Sequence, residues 1–133
     1  MTRSIADVLA AARHGVERVH PDRLAEHQAR GAWVVDLRTP WTRDTEGHLP
    51  GAIVVEPTVF LWRLDPQSPS RMADGPGYDD EVVVLCNEGY LSSLAARDLR
   101  ELGFTRATDL DGGFRAWAAS GHAVQAEPSR YVT

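Results

Sequence analysis

Residues 82–93 read VVVLCNEGYLSS, an apolar run that ends in the only cysteine of the chain and passes into a short turn. Val82–Leu85 is typical of a strand buried on both faces. After the turn, apolar residues recur at the spacing of an amphipathic helix: Leu94, Ala95, Leu99 and Leu102. The segment predicts that Cys86 lies between a strand and the N-terminus of a helix. Because such a terminus favours an anion, a thiol there is suited to react as a thiolate.

The rest of the chain repeats this alternation of apolar strands and helices. Further strands are predicted at Trp33–Asp36, Gly51–Val55 and Ala107–Leu110. Helices are predicted at 4–14, 20–31, 59–64 and 92–102, and after Gly112-Gly113. Together they predict the α/β class, with a central parallel sheet and helices on both faces. The Pro- and Gly-rich stretch 66–77 is expected to be an exposed loop, and the polar tail from Gly121 is expected to fray.

The composition is that of an ordinary globular protein. The chain has 133 residues, so we expect one domain over 1–133, with 43% apolar and 25% charged residues. A net charge of −5, with both signs interspersed, argues against nucleic acid or a membrane surface as partner. One cysteine allows no internal disulfide, and no signal peptide or membrane span is evident, which predicts a cytoplasmic protein. The scattered histidines predict no metal site.

Three groups of motifs resemble the signatures of rhodanese-like domains, and the similarity runs from about residue 20 to 121. They are Asp36-Leu37-Arg38 with Gly47-His48-Leu49-Pro50-Gly51-Ala52, the loop 86–92, and Leu102-Gly103-Phe104 with residues 110–117, which read LDGGFRAW. Their order and spacing make the resemblance specific. It implies a rhodanese-like fold with a core of about 20–121, preceded by the helix at 4–14 and followed by the polar C-terminal tail.

The resemblance also implies a chemistry and a site. Cys86 would accept a sulfane sulfur as a persulfide and pass it to a thiol, cyanide or a carrier protein, without a cofactor. The donor would be a small molecule, either thiosulfate or a thiol persulfide. The residues expected to bind the persulfide are those of the loop: Asn87, Glu88, Gly89, Tyr90, Leu91 and Ser92. Amides that point inward at a helix N-terminus would stabilise both the thiolate and the persulfide anion, and Ser92 and Ser93 could cap that helix.

Supporting roles are expected for residues at the ends of the neighbouring strands. The family pattern makes Arg38 structural, paired with Asp44 or Glu46. Asp36 is expected to accept backbone hydrogen bonds near the loop. His48 could serve as a base near neutral pH, but a hydrogen bond that braces its turn is the preferred interpretation.

The loop departs from the pattern of many thiosulfate-using members, which carry arginine where this chain has Asn87 or Leu91. Glu88, expected at the solvent-facing rim, would repel a dianion such as thiosulfate. Arg63 is the first candidate to supply the missing positive charge, ahead of Arg115. Trp41 and Trp62 are candidates for an apolar rim.

Two other functions remain open at this point. A binding or regulatory rhodanese-like module would keep the cysteine with little turnover. A dual-specificity-type phosphatase would need an arginine in the pattern C-x5-R to hold phosphate. Counted from Cys86, the position of that arginine is occupied by Ser92. The preferred hypothesis is therefore a sulfurtransferase that uses Cys86.

Overall fold

A computed structural model describes residues 1–133, and its five strands are all parallel. They are β1 (Trp33–Asp36), β2 (Ile53–Val55), β3 (Val82–Leu85), β4 (Ala107–Asp109) and β5 (Arg130–Val132). Their order across the sheet is β4-β3-β1-β2-β5. The strand before Cys86 is therefore an inner strand, and the carboxyl ends of β1 and β4 lie on either side of the cysteine.

Six α-helices and one 3₁₀ turn surround the sheet. They are α1 (Ile5–Arg13), the 3₁₀ turn (Pro21–Arg23), α2 (Leu24–Ala29), α3 (Pro40–Glu46), α4 (Phe60–Leu64), α5 (Leu91–Leu102) and α6 (Gly113–Ala119). Ser4 caps α1 and exchanges hydrogen bonds with Asp7, which stabilises its first turn. None of these helices combines the length and the hydrophobicity that a bilayer span requires.

Both faces of the sheet are buried, as the continuous apolar strands predict. Val82 and Val84 belong to one core cluster, while Val83 and Leu85 belong to the other, because successive side chains of a strand point to opposite faces. Helices α4 and α5 cover the first face, and α2 and α6 cover the second. Each large side chain buried here contributes about 1.5–3 kcal/mol. The predicted α/β class with a central parallel sheet is confirmed.

Two elements were not predicted from the sequence. Helix α3 has no apolar stripe; Thr39 caps it, Pro40 occupies its first turn, and its one buried side chain is Arg43. Strand β5 lies in the tail that was expected to fray, so that expectation is wrong. Of its residues only Val132 is buried, and the strand is held by parallel pairing with β2. A strand with a single buried side chain shows little of the alternation that identifies strands in a sequence.

Candidate active site

Cys86 follows β3 directly and lies at the carboxyl edge of the sheet. Its side chain is buried, with 8% of the residue surface exposed. The backbone amide of Ser92, in the first turn of α5, donates to its Sγ at 3.3 Å. The predicted placement of the thiol between a strand end and a helix N-terminus is thus present in the structure. Because parallel α/β sheets bind ligands outside the carboxyl ends of their strands, this is the expected edge for a site.

The loop after Cys86 turns its carbonyl groups away from the sulfur. The carbonyl of Cys86 accepts from the amide of Phe114 at 2.9 Å, and that of Asn87 accepts from Arg115 at 3.1 Å. The carbonyl of Gly89 accepts from the guanidinium groups of Arg13 at 2.7 Å and Arg18 at 3.0 Å. Three of the four carbonyls from Cys86 to Gly89 are therefore anchored from outside the loop.

Outward carbonyls determine where the amides point. In a trans peptide the C=O and the following N–H are on opposite sides, so the N–H groups of Asn87, Glu88 and Tyr90 face the opposite way from the anchored carbonyls. None of these amides donates to a protein acceptor. They leave the loop with a set of amide donors that no protein acceptor uses, in addition to the Ser92 amide, which donates to Sγ of Cys86. Such a set favours a bound anion.

Glycines allow two loops to touch at this point. Gly89 has φ +85°, and a Cβ there would lie 2.9 Å from the amide nitrogen of Gly112. A Cβ on Gly113 would lie 2.6 Å from the carbonyl oxygen of Cys86. Larger residues would separate the Gly112-Gly113 turn from the loop, and the hydrogen bonds from α6 would be lost.

Asp109, at the end of β4, is a buried acceptor that sequence reasoning did not find. Its Oδ2 accepts from the hydroxyl of Ser92 at 2.7 Å and from that of Ser93 at 2.8 Å. Arg18 binds both oxygens of the same carboxylate. The expectation that Ser92 and Ser93 cap α5 is wrong, because both hydroxyls are used by Asp109 and α5 has no side-chain cap.

Arg18 is the basic partner of this network. Burial acts to lower the pKa of its guanidinium, but the hydrogen bond with Asp109 and the nearby negative charges, Cys86 among them, outweigh burial and raise it. A permanent positive charge thus lies behind the loop, although the loop itself contains no basic residue. The one feature of the sequence that could have indicated the role of Asp109 is its position at a strand end, like that of Asp36.

The solvent-facing rim of the loop carries two acids and one base. Arg115 forms salt bridges with both Glu46 and Glu88, and the side-chain amide of Asn87 donates to Glu46 at 3.0 Å. The hydrogen bond from Arg115 is the main reason that the pKa of Glu46 is lowered, and the same pair raises the pKa of Arg115. Glu88 is half-exposed, as expected for the rim, but its charge is compensated in part.

Arg38 is buried and structural, but its partner is not the expected one. Its guanidinium pairs with Asp36, with Nη2 and Oδ2 at 2.9 Å, and donates to the carbonyl of Gly47 at 2.7 Å. It also lies 3.9 Å from the ring centroid of Phe114. The predicted pairing with Asp44 or Glu46 is therefore wrong. Residues two apart in an extended chain lie on one side, which brings the Arg38 side chain to Asp36.

His48 braces its turn with its backbone rather than its ring. Its amide and carbonyl form a two-bond bridge with Gln125, whereas Nδ1 of the imidazole is buried without a hydrogen-bond partner. Burial, followed by the nearby charge of Arg38, lowers the pKa of this histidine. The imidazole is therefore held in the neutral form.

The structure does not bring Arg63 to the cysteine loop. Its guanidinium donates to the carbonyls of Thr133 and Ser70. Thr133 follows β5, and strands β2 and β1 lie between β5 and the strand that leads to Cys86. Tyr90 and Leu91, in contrast, are exposed on the loop, at 60% and 50%. Trp41 and Trp62 are mostly exposed, on α3 and α4.

Comparison with known proteins agrees with this geometry. The family model of the rhodanese-like domain matches residues 20–120. The chain belongs to the rhodanese-like domain family. It is 31% identical over 104 residues to the thiosulfate sulfurtransferase GlpE of Pseudomonas entomophila, which covers 78% of this chain and 86% of that protein.

Two solved structures resemble this member of the rhodanese-like family at 27% identity. One is a protein of unknown function from Rhodopseudomonas palustris, described as a possible tyrosine phosphatase, with a TM-score of 0.84 over 94% of this chain and 96% of that one. The other is the human single-domain sulfurtransferase TSTD1, with a TM-score of 0.66 over 79% of this chain and 97% of that one. The relatives thus include named sulfurtransferases as well as one protein described as a phosphatase candidate.

Proposed function

We propose that this rhodanese-like protein, acting as one domain over residues 1–133, is a sulfurtransferase that carries a sulfane sulfur on Cys86. The observation that supports this most directly is the contact of the Ser92 amide with Sγ of Cys86, in a loop where three of the four carbonyls from Cys86 to Gly89 are anchored from outside. A second sulfur added to Cys86 would extend into this set of donors. Hydrogen bonds from amides to an anionic sulfur stabilise it without a metal or a cofactor.

The reaction needs two displacements at sulfur. The Cys86 thiolate attacks the outer sulfur of a persulfide R–S–SH; a new S–S bond forms, the old one breaks, and RS⁻ leaves and takes up a proton. An acceptor thiolate then attacks the outer sulfur of the Cys86 persulfide and leaves with it, which restores the Cys86 thiolate. No net oxidation occurs, so neither step requires an oxidant. Cyanide in place of the thiolate would give thiocyanate.

The charges at the rim support a thiol persulfide or a partner protein as the sulfur source rather than thiosulfate. Glu46 and Glu88 carry two negative charges against the one positive charge of Arg115. Two unit charges about 8 Å apart interact by about 2 kcal/mol at an effective dielectric of about 20, before screening by salt. A dianion therefore approaches an unfavourable rim, while the exposed Tyr90 and Leu91 offer apolar surface for docking.

Phosphatase activity has less support, despite the description of one structural relative. The loop contains no arginine that could bind phosphate in the bidentate manner. Ser92, at the position where C-x5-R is sought, uses its hydroxyl to bind Asp109. Arg115 is engaged by two carboxylates. A binding module with little turnover is the alternative that the test must separate from the enzyme.

Mass spectrometry of the intact protein after incubation with glutathione persulfide, and separately with thiosulfate, provides that test. We expect an adduct with the mass of one sulfur atom on Cys86, removed by cyanide or by excess thiol, and none on Cys86→Ser. Steady-state assays should then give a higher kcat/KM for glutathione persulfide than for thiosulfate. The absence of an adduct with either donor would favour the binding module, and a large preference for thiosulfate would refute the proposed donor.

A further inference from the structure

A large groove at the edge of the sheet includes neither Cys86 nor any residue of the loop 87–92. It has a volume of about 760 Å³ and runs beside the edge strand β4. Its walls are the segment 15–20, one side of α2, and the chain around residues 105–108. The proposed sulfur transfer makes no use of this space, although its size is typical of pockets for small molecules.

Arginine is concentrated in this groove. All fourteen basic residues of the chain are arginine, and five of them line the cavity: Arg18, Arg23, Arg30, Arg100 and Arg106. Three glutamates line it as well, namely Glu17, Glu26 and Glu81. Arg18 is engaged by Asp109 and Asp111, but the other four arginines still outnumber the three glutamates, in a protein whose net charge is −5.

The salt bridges around Glu81 leave positive charge unbalanced. This single carboxylate contacts Arg30 at 3.1 Å, His27 at 2.9 Å and Arg106 at 3.8 Å. Two guanidinium groups thus share one negative charge, even with His27 neutral. Both arginines are more than half-exposed, so their remaining N–H donors can reach a molecule in the groove.

Arg100 adds a guanidinium group without a carboxylate partner. It donates to the carbonyls of Ala107 at 3.1 Å and Ala12 at 2.9 Å, which fixes its position at the wall of the groove. Carbonyls orient a guanidinium but do not neutralise its charge. An arginine held in place in this way is pre-organised to bind an anion.

We propose that this groove binds a small molecule with at least two negative charges, of the phosphate or carboxylate type. Guanidinium groups match both oxyanions in geometry and bind them through paired hydrogen bonds. The acidic remainder of the surface disfavours a large polyanion such as nucleic acid, whereas a small anion can enter without meeting that surface. The site is separate from Cys86 and does not depend on the proposed sulfur transfer.

Calorimetric titration of the whole protein with pyrophosphate, and separately with citrate, tests this site. We expect saturable binding of at least one probe, and the tighter probe identifies the type of anion. Arg30→Gln and Arg106→Gln should each weaken binding about tenfold, the usual effect of losing one charged hydrogen bond. Arg97→Gln, which changes an arginine outside the groove, should not. Arg18 is left intact because it also anchors the Gly89 carbonyl.

Two further variants separate anion binding from structural effects. Glu81→Gln breaks the same salt bridges as the arginine variants but removes a negative charge, so it should strengthen binding. Cys86→Ser should bind as the unmodified protein does, whatever the outcome for sulfur transfer. Failure of both probes to bind, or equal weakening by Arg97→Gln and Arg106→Gln, would overturn the proposal.

Discussion

The hydroxyl of Ser92 donates to Oδ2 of Asp109 at 2.7 Å, and the amide of the same residue donates to Sγ of Cys86 at 3.3 Å. One residue thus joins the end of β4 to the thiol at the end of β3. The side-chain bond fixes the first turn of α5, and the backbone bond follows from that position. The carboxylate therefore acts on the sulfur through the backbone it orients, without touching it.

The first prediction concerns this carboxylate. Asp109→Asn leaves the charge of Arg18 without its buried partner and should cost about 3–5 kcal/mol of unfolding free energy. Ser92→Ala removes one hydroxyl bond, keeps the backbone amide, and should cost about 1 kcal/mol. Ser92→Ala, which changes no charge, should slow alkylation of Cys86 by iodoacetamide, because a first turn held less firmly stabilises the thiolate less. Urea unfolding and the alkylation rate are the two measurements.

Asp98→Asn is the matched control, because Asp98 forms a partly exposed pair with Arg97 on the same helix. Such pairs contribute about 0–1 kcal/mol. If Asp109→Asn were as stable as Asp98→Asn, the proposed network would have no energetic importance. If Asp109→Asn does not fold, Ser92→Ala still tests the effect on the thiol.

The second prediction concerns the contact between the loop and the Gly112-Gly113 turn. Gly89→Ala introduces a Cβ 2.9 Å from the amide nitrogen of Gly112 at a residue with φ +85°. It should abolish the persulfide adduct, because the loop must move away from α6. Gly15→Ala has a similar φ, +71°, but nothing lies within 4 Å of the added atom. It should lose about 1 kcal/mol from backbone strain alone and keep the adduct.

The comparison of Gly89→Ala with Gly15→Ala separates the two effects of an added methyl group. Intact-mass measurement with glutathione persulfide gives the adduct, and thermal unfolding gives the stability. A full adduct on Gly89→Ala would show that close packing against α6 is not needed to form the site.

The sequence was sufficient for four of the five strands and for the position of the thiol, because these depend on local patterns, whereas β5, with one buried side chain, has no such pattern. The run Val82–Leu85 is apolar at every position, and the two burial faces follow from the alternation of side chains. The anchoring of the loop could not be predicted in this way. Arg13 and Arg18 reach Gly89 across 76 and 71 residues of chain. No local pattern indicates that two arginines near the N-terminus lie behind this loop.

The error over Arg38 has a different origin. Its partner Asp36 is two residues away, on the same side of the extended chain, so a local signal was present. The family pattern instead predicted that Arg38 pairs with an acid later in the chain, Asp44 or Glu46. Of these, Glu46 binds Arg115 and Asn87. These contacts of Glu46 join residues far apart in the sequence, so no local pattern placed its charge beside that of Glu88 at the rim.

The third prediction concerns the rim. Glu88→Gln should raise kcat/KM for thiosulfate about fivefold, because removal of one negative charge relieves about 1 kcal/mol of repulsion after salt screening. Arg115→Gln should lower it, since Glu46 and Glu88 then lose their shared cation. Glu101→Gln is the control, at the far end of α5. It changes the net charge equally but should leave the rate with thiosulfate unchanged, and an equal rise there would indicate a non-local effect.

The last prediction concerns His48 and pH. Burial, and then the charge of Arg38, lower the pKa of this histidine in the folded protein, whereas in the unfolded chain it should be near 6.5. Between the two values the unfolded state binds more protons, so His48 reduces stability as pH falls below about 6.5, until its folded-state pKa is passed.

Urea unfolding at about pH 7.5 and about pH 5 measures this effect. The loss of unfolding free energy between the two pH values should be smaller for His48→Asn than for the unmodified protein. His14→Asn, which changes an exposed histidine, should retain the full loss. The two variants should therefore differ in the pH dependence of stability, whatever each costs near neutral pH, because the surroundings of His48 keep its imidazole neutral.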